Sequence, residues 1–512
     1  MSERKHYLRG VLQLLAGTMV SKLTGVVREI AFAAWFGTSD IAAAFRISQS
    51  AFFQPIQALT GDTLGASFLP LYNKTRAQDA EIARVLAFIT FSCALLIGAP
   101  IAAVLLWLPG EVVTLLAPGV PASVQAEAIM MVRIMAVAAP LYILSNAIGY
   151  VEAAHGSFSA ISSRPALLNI GGLVGGGLTV LTSHQAWLAW GALGVQIAFF
   201  VWTAARLVKL DPTIPSRAQF RVHGKACLYA LIRNSAPLLL IPLVAQIGVA
   251  IERIVASELG TPVVPALEYS RFICETALSL SAIPLSIVTL ASHGGSSRDA
   301  VRDHARSTGA FLLLLAVPLS AYLEANAHGV IQVLFGRGAF DAHSVDLTAS
   351  ILSAASLGLG GTVTSYFLIK ALNANLRNVE TVAVVTLGFA SNALFDVLAW
   401  HHLGAATLGY GVSLNGLLTF AACTTRLRLW PQFLPLLAWL AIGFALTVAA
   451  RQVIPAPSSA LLGLLVQGLC WILIWVGVYI ASSPVRATAR PLVDRVVRLI
   501  RRPRPSKTSL PS

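Results

Sequence analysis

VLQLLAGTMVSKLTGVVREIAFAAWFG, residues 11–37, is long enough to cross a bilayer, yet it carries Lys22, Arg28 and Glu29 among apolar and small residues. A charge at bilayer depth costs about 2.5–3.5 kcal/mol on insertion scales. A segment that keeps three of them is expected to line a water-filled or protein-lined cavity. Cationic walls inside such a cavity point to an anionic cargo.

The rest of the chain supports a membrane setting. It has 512 residues, 56% hydrophobic and 11% charged, against about 25% charged in a typical soluble domain. Runs such as PLLLIPLVAQIGVAI (residues 237–251) are continuous, which excludes the alternating strands of an outer-membrane barrel. The fold expected is an all-α polytopic membrane protein. With about 20 residues needed per crossing, fourteen segments qualify, among them 11–36, 41–72, 126–153, 226–258 and 344–372.

The net charge of +14 would suggest nucleic acid in a soluble protein. Here the Lys and Arg sit in alternate short loops, as at Lys74 and Arg76, Arg164, Lys209 to Lys225, Arg298 to Arg306, Arg377, and Arg426 with Arg428. That alternation is the signature of topology. It predicts both termini in the cytoplasm and no nucleic-acid partner. Cys93, Cys227, Cys274, Cys423 and Cys470 fall in or beside apolar segments without a CxxC pair, so neither a disulfide framework nor a metal site is expected. No GxSxG, HExxH or P-loop is present. The chain therefore reads as a transporter rather than an enzyme, without a cofactor, and driven by an ion gradient, the membrane potential or consumption of its substrate.

A weak internal repeat divides the chain. EIAFAAWFGT (Glu29–Thr38) and ERIVASELGT (Glu252–Thr261) share the spacing from Glu to Gly-Thr, and each is followed by an arginine, Arg46 or Arg271. Six helices separate the copies, so they run parallel, as in two lobes about an axis along the membrane normal. The expected organisation is an N-terminal lobe over 1–209, a cytoplasmic inter-lobe loop over 210–225 and a C-terminal lobe over 226–428. Two further helices follow over 429–482, then a basic tail over 483–512.

At 1.5 Å per residue, Arg28, Arg253 and Arg271 fall at similar depth, with Lys22 nearer the middle of the membrane. Glu29, Glu252, Glu268 and Glu275 are available to pair with them. Guanidinium and ammonium groups drawn from several helices suit a phosphate, which Arg holds bidentately. The alternative is a set of buried ion pairs that lock helices together. Asp40 reads as an N-cap of the second helix, Asp62 as a cap nearer the cytoplasm, and Asn392 as a bridge between helices. Asp396, His401 and His402 lie near the outer surface without the fixed spacing of metal ligands.

Five stretches carry a resemblance to a known family over roughly residues 10–430. They are SKLTGVVRE (Ser21–Glu29), GTSDIAAAFRI (Gly37–Ile47), ASFLPLY (Ala66–Tyr72), LEYSRF (Leu267–Phe272) and VLFGRGAFDAHSVDLTASILSAASLGLGG (Val333–Gly361). On these the chain resembles the MurJ/MviN lipid II flippases of the MOP exporter superfamily. The resemblance implies fourteen helices and a cationic cavity for an undecaprenyl-pyrophosphate glycan. It also implies a lipid-tail groove formed by helices thirteen and fourteen.

Matched position by position, Arg28 and Arg271 correspond to cavity arginines and Asp40 to an acidic residue opening the second helix. Lys22 stands where another arginine is usual, and Gln57 where the second helix usually has one. Gly61-Asp62 replaces a Glu-Gly step, and the stretch from Lys370 also departs from the pattern.

The function expected is alternating-access transfer of lipid II, or a related polyprenyl-linked glycan, to the outer leaflet of a bacterial cytoplasmic membrane. Lys22, Arg28 and Arg271 would hold the pyrophosphate. Glu29, Asp40, Arg46, Glu252, Arg253 and Glu275 would gate or pair. Membrane lipids and cell-envelope synthesis enzymes are the partners expected. The other readings are an exopolysaccharide-unit flippase, a cation-coupled multidrug exporter, which would need an acidic and aromatic cavity, and a non-transporting envelope scaffold.

Overall fold

The computed structural model describes residues 2–60, 63–210, 214–293, 298–374, 377–454 and 459–490. Asp62 and the tail beyond Arg490 lie outside them. Every regular element among the described residues is a helix. The first lobe-length stretch holds α1 (Ser2–Phe36), α2 (Asp40–Leu59), α3 (Thr63–Gln78), α4 (Ala80–Trp107), α5 (Pro109–Leu116), α6 (Ala122–Ala136), α7 (Ala138–Ala154), α8 (Ser159–Thr182) and α9 (Ala186–Leu210). Then come α10 (Arg217–Ser235), α11 (Leu240–Glu258), α12 (Val263–His293), α13 (Arg298–Phe335), α14 (Ala342–Ser356) and α15 (Leu359–Ala374). The last are α16 (Asn378–Leu403), α17 (Ala406–Leu427), α18 (Trp430–Val453) and α19 (Ala460–Ala481).

Among the described residues nine helices are long and apolar enough to cross a membrane, or eleven if α6–α7, bent by 46°, and α14–α15, bent by 52°, each make one span. The fourteen crossings expected are not reached by this measure. The three expected segments without a counterpart in that count are 11–36, 41–72 and 263–292; α1 and α12 each bear three charged residues within their apolar stretches, and α2 bears Asp40 and Arg46.

Four segments read as continuous are broken, one of them 126–153 at the bend between α6 and α7. Residues 41–72 divide into α2 and α3. Residues 226–258 are interrupted by a 3₁₀ turn at Ala236–Leu238, where Pro237 removes a backbone donor. The stretch expected as inter-lobe loop is helical from Arg217, where Ser216 and Gln219 form a reciprocal capping box. Residues 344–372 break after Ser356. There the freed N–H of Gly358 donates to Ser413 Oγ (2.7 Å) and that of Gly360 to Ser320 Oγ (2.9 Å). A broken helix inside a membrane persists only with such partners.

Packing divides the chain into two units. The first comprises Met1–Ile273, Ile331–Ile351 and Val385–Gly411, and the second Cys274–Val330, Leu352–Val384 and Val412–Ser512. In the first unit α1 packs on α8, α8 on α9, α2 on α6 and α11, and α4 on α7. Its core runs from Phe32, Phe45 and Ile47 through Met131 and Ile143 to Val264 and Leu267. The glycines between Gly171 and Gly176 bring α8 against its neighbours: a Cβ on Gly175 would lie 2.5 Å from Trp187 O, and one on Gly176 2.9 Å from the Trp35 ring.

In the second unit α18 packs on α19. Two reciprocal bonds strap α19 to α13: Trp471 Nε1 donates to Pro318 O (2.9 Å) and Tyr322 OH to Leu464 O (3.0 Å).

Two turns of the first unit clasp each other. Gly37 (φ 53°) ends α1 and Gly338 (φ 60°) sits before α14. Ala339 N donates to Ala34 O at 2.9 Å, Tyr269 OH to Gly37 O at 3.1 Å, and the Thr38 and Ser344 hydroxyls meet at 2.8 Å. Asp341 accepts from Ser344 N and Oγ, which holds its carboxyl below the usual range. A Cβ on Gly338 would lie 2.2 Å from Ala34 O. Gly404 shares the left-handed backbone (φ 57°) but opens onto empty space. Gly404→Ala should therefore lose only the left-handed penalty of about 1–2 kcal/mol. Gly338→Ala adds the clash and should melt at a clearly lower temperature in detergent. Equal shifts would show that the clasp contributes nothing.

Candidate functional site: a buried ladder of arginines and glutamates

The site lies wholly in the first unit, on α1, α2, α11 and α12. Glu29 of α1 is almost fully buried and uses both carboxylate oxygens, Oε1 accepting from Arg28 and Oε2 from Arg46 of α2. Arg46 is likewise buried, its guanidinium 5.8 Å from the Phe32 ring and 5.5 Å from that of Tyr269. On the other side of the ladder Glu268 Oε1 accepts from Arg253 and, at 3.0 Å, from Arg271 Nη1. Arg271 Nη2 donates to Glu252 Oε2 at 2.5 Å, and Arg253 Nη1 to Val264 O at 3.3 Å. Arg46 and Glu268 are close enough to attract each other, which joins the two clusters.

The alternation of charge lets the ladder stay inside a membrane protein, since an unpaired buried ion is far costlier than a paired one. Among the described ion pairs, four guanidiniums (Arg28, Arg46, Arg253, Arg271) face three carboxylates (Glu29, Glu252, Glu268), a surplus of one positive charge within the ladder. Exposure divides the cations. Arg46 and Arg253 are 6% and 3% exposed at the side chain, whereas Arg28 and Arg271 are each 21% exposed. The first two hold helices together, and the second two also meet the space beyond the ladder.

The remaining sequence candidates are placed differently. Lys22 is half-buried on α1 and forms no ion pair with a described residue. Asp40 is exposed and does not cap α2; Ser39 does, its Oγ accepting from Ala42 N. Glu275 is exposed and belongs to the second unit. Gln57 is exposed and accepts from Gln246 Nε2 of α11 at 3.3 Å, so a neutral amide pair joins α2 to α11.

One group is placed differently from its surface reading in the sequence. Asp396 of α16 is fully buried, and neither carboxylate oxygen has a hydrogen-bond partner. Asn392 Oδ1, Thr407 Oγ1 and Glu252 Oε1 are buried and unpartnered as well. A Cβ on Gly411 would come within 2.2 Å of both Asn392 Oδ1 and Asp396 Oδ1, so α17 presses against these oxygens. Asp396 feels the charges of Glu252 and Arg271 and so adjoins the ladder. The i,i+4 spacing of Asn392 and Asp396 was the available signal, but His401 and His402 nearby drew Asp396 toward a surface reading. Among the described residues no group of three His, Cys, Asp or Glu side chains gathers for a metal.

A family model described as lipid II flippase MurJ matches residues 32–490. The chain belongs to the lipid II flippase MurJ family. The lipid II flippase MurJ of Burkholderia cenocepacia is 27% identical over 448 residues, covering 82% of this chain and 84% of that protein. Among solved structures, a lipid II flippase MurJ in an inward closed conformation covers 94% of this chain and 100% of its own, with a TM-score of 0.80 at 18% identity. A multidrug resistance MATE transporter of the MOP superfamily, in an inward-facing conformation, follows at a TM-score of 0.63 and 15% identity over 82% of this chain and 97% of its own. The fold is thus shared with the solved MurJ and MATE structures, and the chain is a multi-pass membrane protein.

Removing Arg46 strands Glu29 on its buried side, so Arg46→Met should cost about 3–5 kcal/mol. Arg28→Ala leaves Glu29 its second partner and should unfold much closer to wild type. Denaturation of the purified protein in detergent compares them, and equal losses would overturn the division between holding and facing arginines.

Proposed function

We propose that the protein translocates lipid II, an undecaprenyl-pyrophosphate-linked glycan, from the inner to the outer leaflet of the bacterial cytoplasmic membrane, with both termini in the cytoplasm. The observation that carries the reading is the pair of partly exposed arginines, Arg28 and Arg271, on a ladder with a surplus positive charge. Family membership supports the substrate. An exporter of cationic drugs would be poorly served by this surplus, and the relative described above is a lipid II flippase.

In the mechanism proposed, the ladder is the resting arrangement. Glu29 and Glu252 neutralise Arg28 and Arg271 while no substrate is bound. A pyrophosphate offers more acceptor oxygens and charge than a single carboxylate, so it competes for both guanidiniums through charge-assisted bonds. Lys22, half-buried and without an ion pair to a described residue, supplies a further cation on α1. Alternating access would follow from rocking of the lobe over 1–209 against that over 226–428.

Asp396 links an ion to this cycle. While it is ionised, four acids balance four arginines. Once a proton or small cation neutralises it, the ladder regains its surplus and favours the anion. Coupling to an ion gradient or to the membrane potential is therefore part of the proposal. No step requires bond-making chemistry from the chain itself.

Arg28→Ala and Arg271→Ala should each insert and accumulate yet fail to expose lipid II on the outer leaflet, measured by its accessibility in cells depleted of their own flippase. Normal exposure by both variants would remove the cavity assignment. Asp396→Asn mimics the neutralised state. It should bind lipid II at least as tightly as wild type while its transport loses dependence on the ion gradient; unchanged gradient dependence would eliminate Asp396 as the coupling group.

A further inference from the structure

Within the second unit, α13 and α18 border two cavities on successive turns. The first, about 780 Å³, opens at the basic end of these helices. His304, Arg306 and Thr308 of α13, Gln432 of α18 and Thr488 of the helix over 483–490 form its polar part, with Phe311 and Leu436 behind them. The second, about 380 Å³, continues along the same two helices and is almost wholly apolar, lined by Leu313, Val317, Leu440, Ala441 and Phe444.

The residues follow helical stripes. Arg306, Ala310, Leu313, Val317 and Ser320 descend one face of α13 at intervals of three and four, and Gln432, Leu436, Leu440 and Phe444 descend α18 at intervals of four. From Arg306 to Ser320 the seam is about 21 Å long at 1.5 Å per residue. It therefore begins at a cationic mouth and runs into the hydrocarbon for more than half of a core about 30 Å thick.

Arg306 is exposed and has no carboxylate partner among the described residues. Neighbouring cations are otherwise engaged: Arg302 donates to Arg428 O at 3.0 Å, and Arg377 holds Glu380 at 2.5 Å and donates to Arg426 O at 3.0 Å. These arginines cap the end of α17, while Arg306 alone among them lines the cavity.

We propose that this seam seats a resident anionic phospholipid. Its phosphate would meet Arg306 at the mouth, and one acyl chain would lie between α13 and α18. The apolar continuation selects a lipid over free phosphate. Charge selects an anionic headgroup, since basic pockets between helices on the side rich in Lys and Arg meet the anionic leaflet. The seam lies between α13 and α18, with Pro484, Ala487 and Thr488, just past α19, bordering its mouth. It also rests on none of the transport ladder.

The test is native mass spectrometry of the full chain, delipidated in mild detergent and titrated with phosphatidylglycerol, phosphatidylcholine or undecaprenyl phosphate. Wild type should retain one phosphatidylglycerol about fivefold or more in preference to phosphatidylcholine, the scale expected of one interfacial cation. Arg306→Gln should bring the two near parity, and Ala441→Trp, which fills the apolar half, should remove both. Arg28→Ala should leave retention unchanged. Equal retention by wild type, no effect of Arg306→Gln, or displacement of phosphatidylglycerol by equimolar undecaprenyl phosphate would each overturn the proposal. Arg306 is exposed, so its variant stays informative even if Ala441→Trp does not fold.

Discussion

The first unit is organised around one carboxylate shared by two guanidiniums. Glu29 holds Arg28 of its own helix and Arg46 of the next. An isolated ion at that depth would favour unfolding or a neutral substitute. The shared pair instead lets α1 keep its charges, fixes α2 against it and leaves Arg28 partly open. The same device recurs at Glu268, shared by Arg253 and Arg271. In each case one arginine is spent on packing and its neighbour faces the accessible side. This division lets a membrane protein hold a cation ready for an anion without leaving that cation bare.

Much of this was legible in the sequence, for physical reasons. Long apolar runs have few alternatives to a transmembrane helix, so the helical fold followed from hydropathy and loop charge. Charges inside those runs are expensive, so Arg28, Glu29, Glu252 and Arg271 stood out as members of one site. The weak repeat of Glu before Gly-Thr foreshadowed the roles of Glu29 and Glu252, each of which holds a partly exposed arginine.

What escaped depends on contacts distant in sequence. Arg46 and Arg28 look equally costly by composition, and only packing against Phe32 and Tyr269 makes Arg46 a buried tie. The break at Gly358 was hidden because serines on α13 and α17 satisfy its donors, leaving no local mark. Asp40 lost its expected capping role to Ser39, one residue earlier, a distinction finer than sequence patterns resolve. Asp396 was read as a residue near the outer surface, because its isolation, with no donor for either oxygen, is defined by what surrounds it.

In the mechanism proposed, Arg28 and Arg271 exchange their glutamates for the pyrophosphate of the substrate. The most direct measurement is the affinity of the purified protein for undecaprenyl pyrophosphate, compared between wild type and the Arg28→Gln, Arg271→Gln double variant. Wild type should bind, and the double variant should lose about a hundredfold or more, at roughly tenfold for each charge-assisted contact removed. Undiminished affinity in a folded double variant would contradict it.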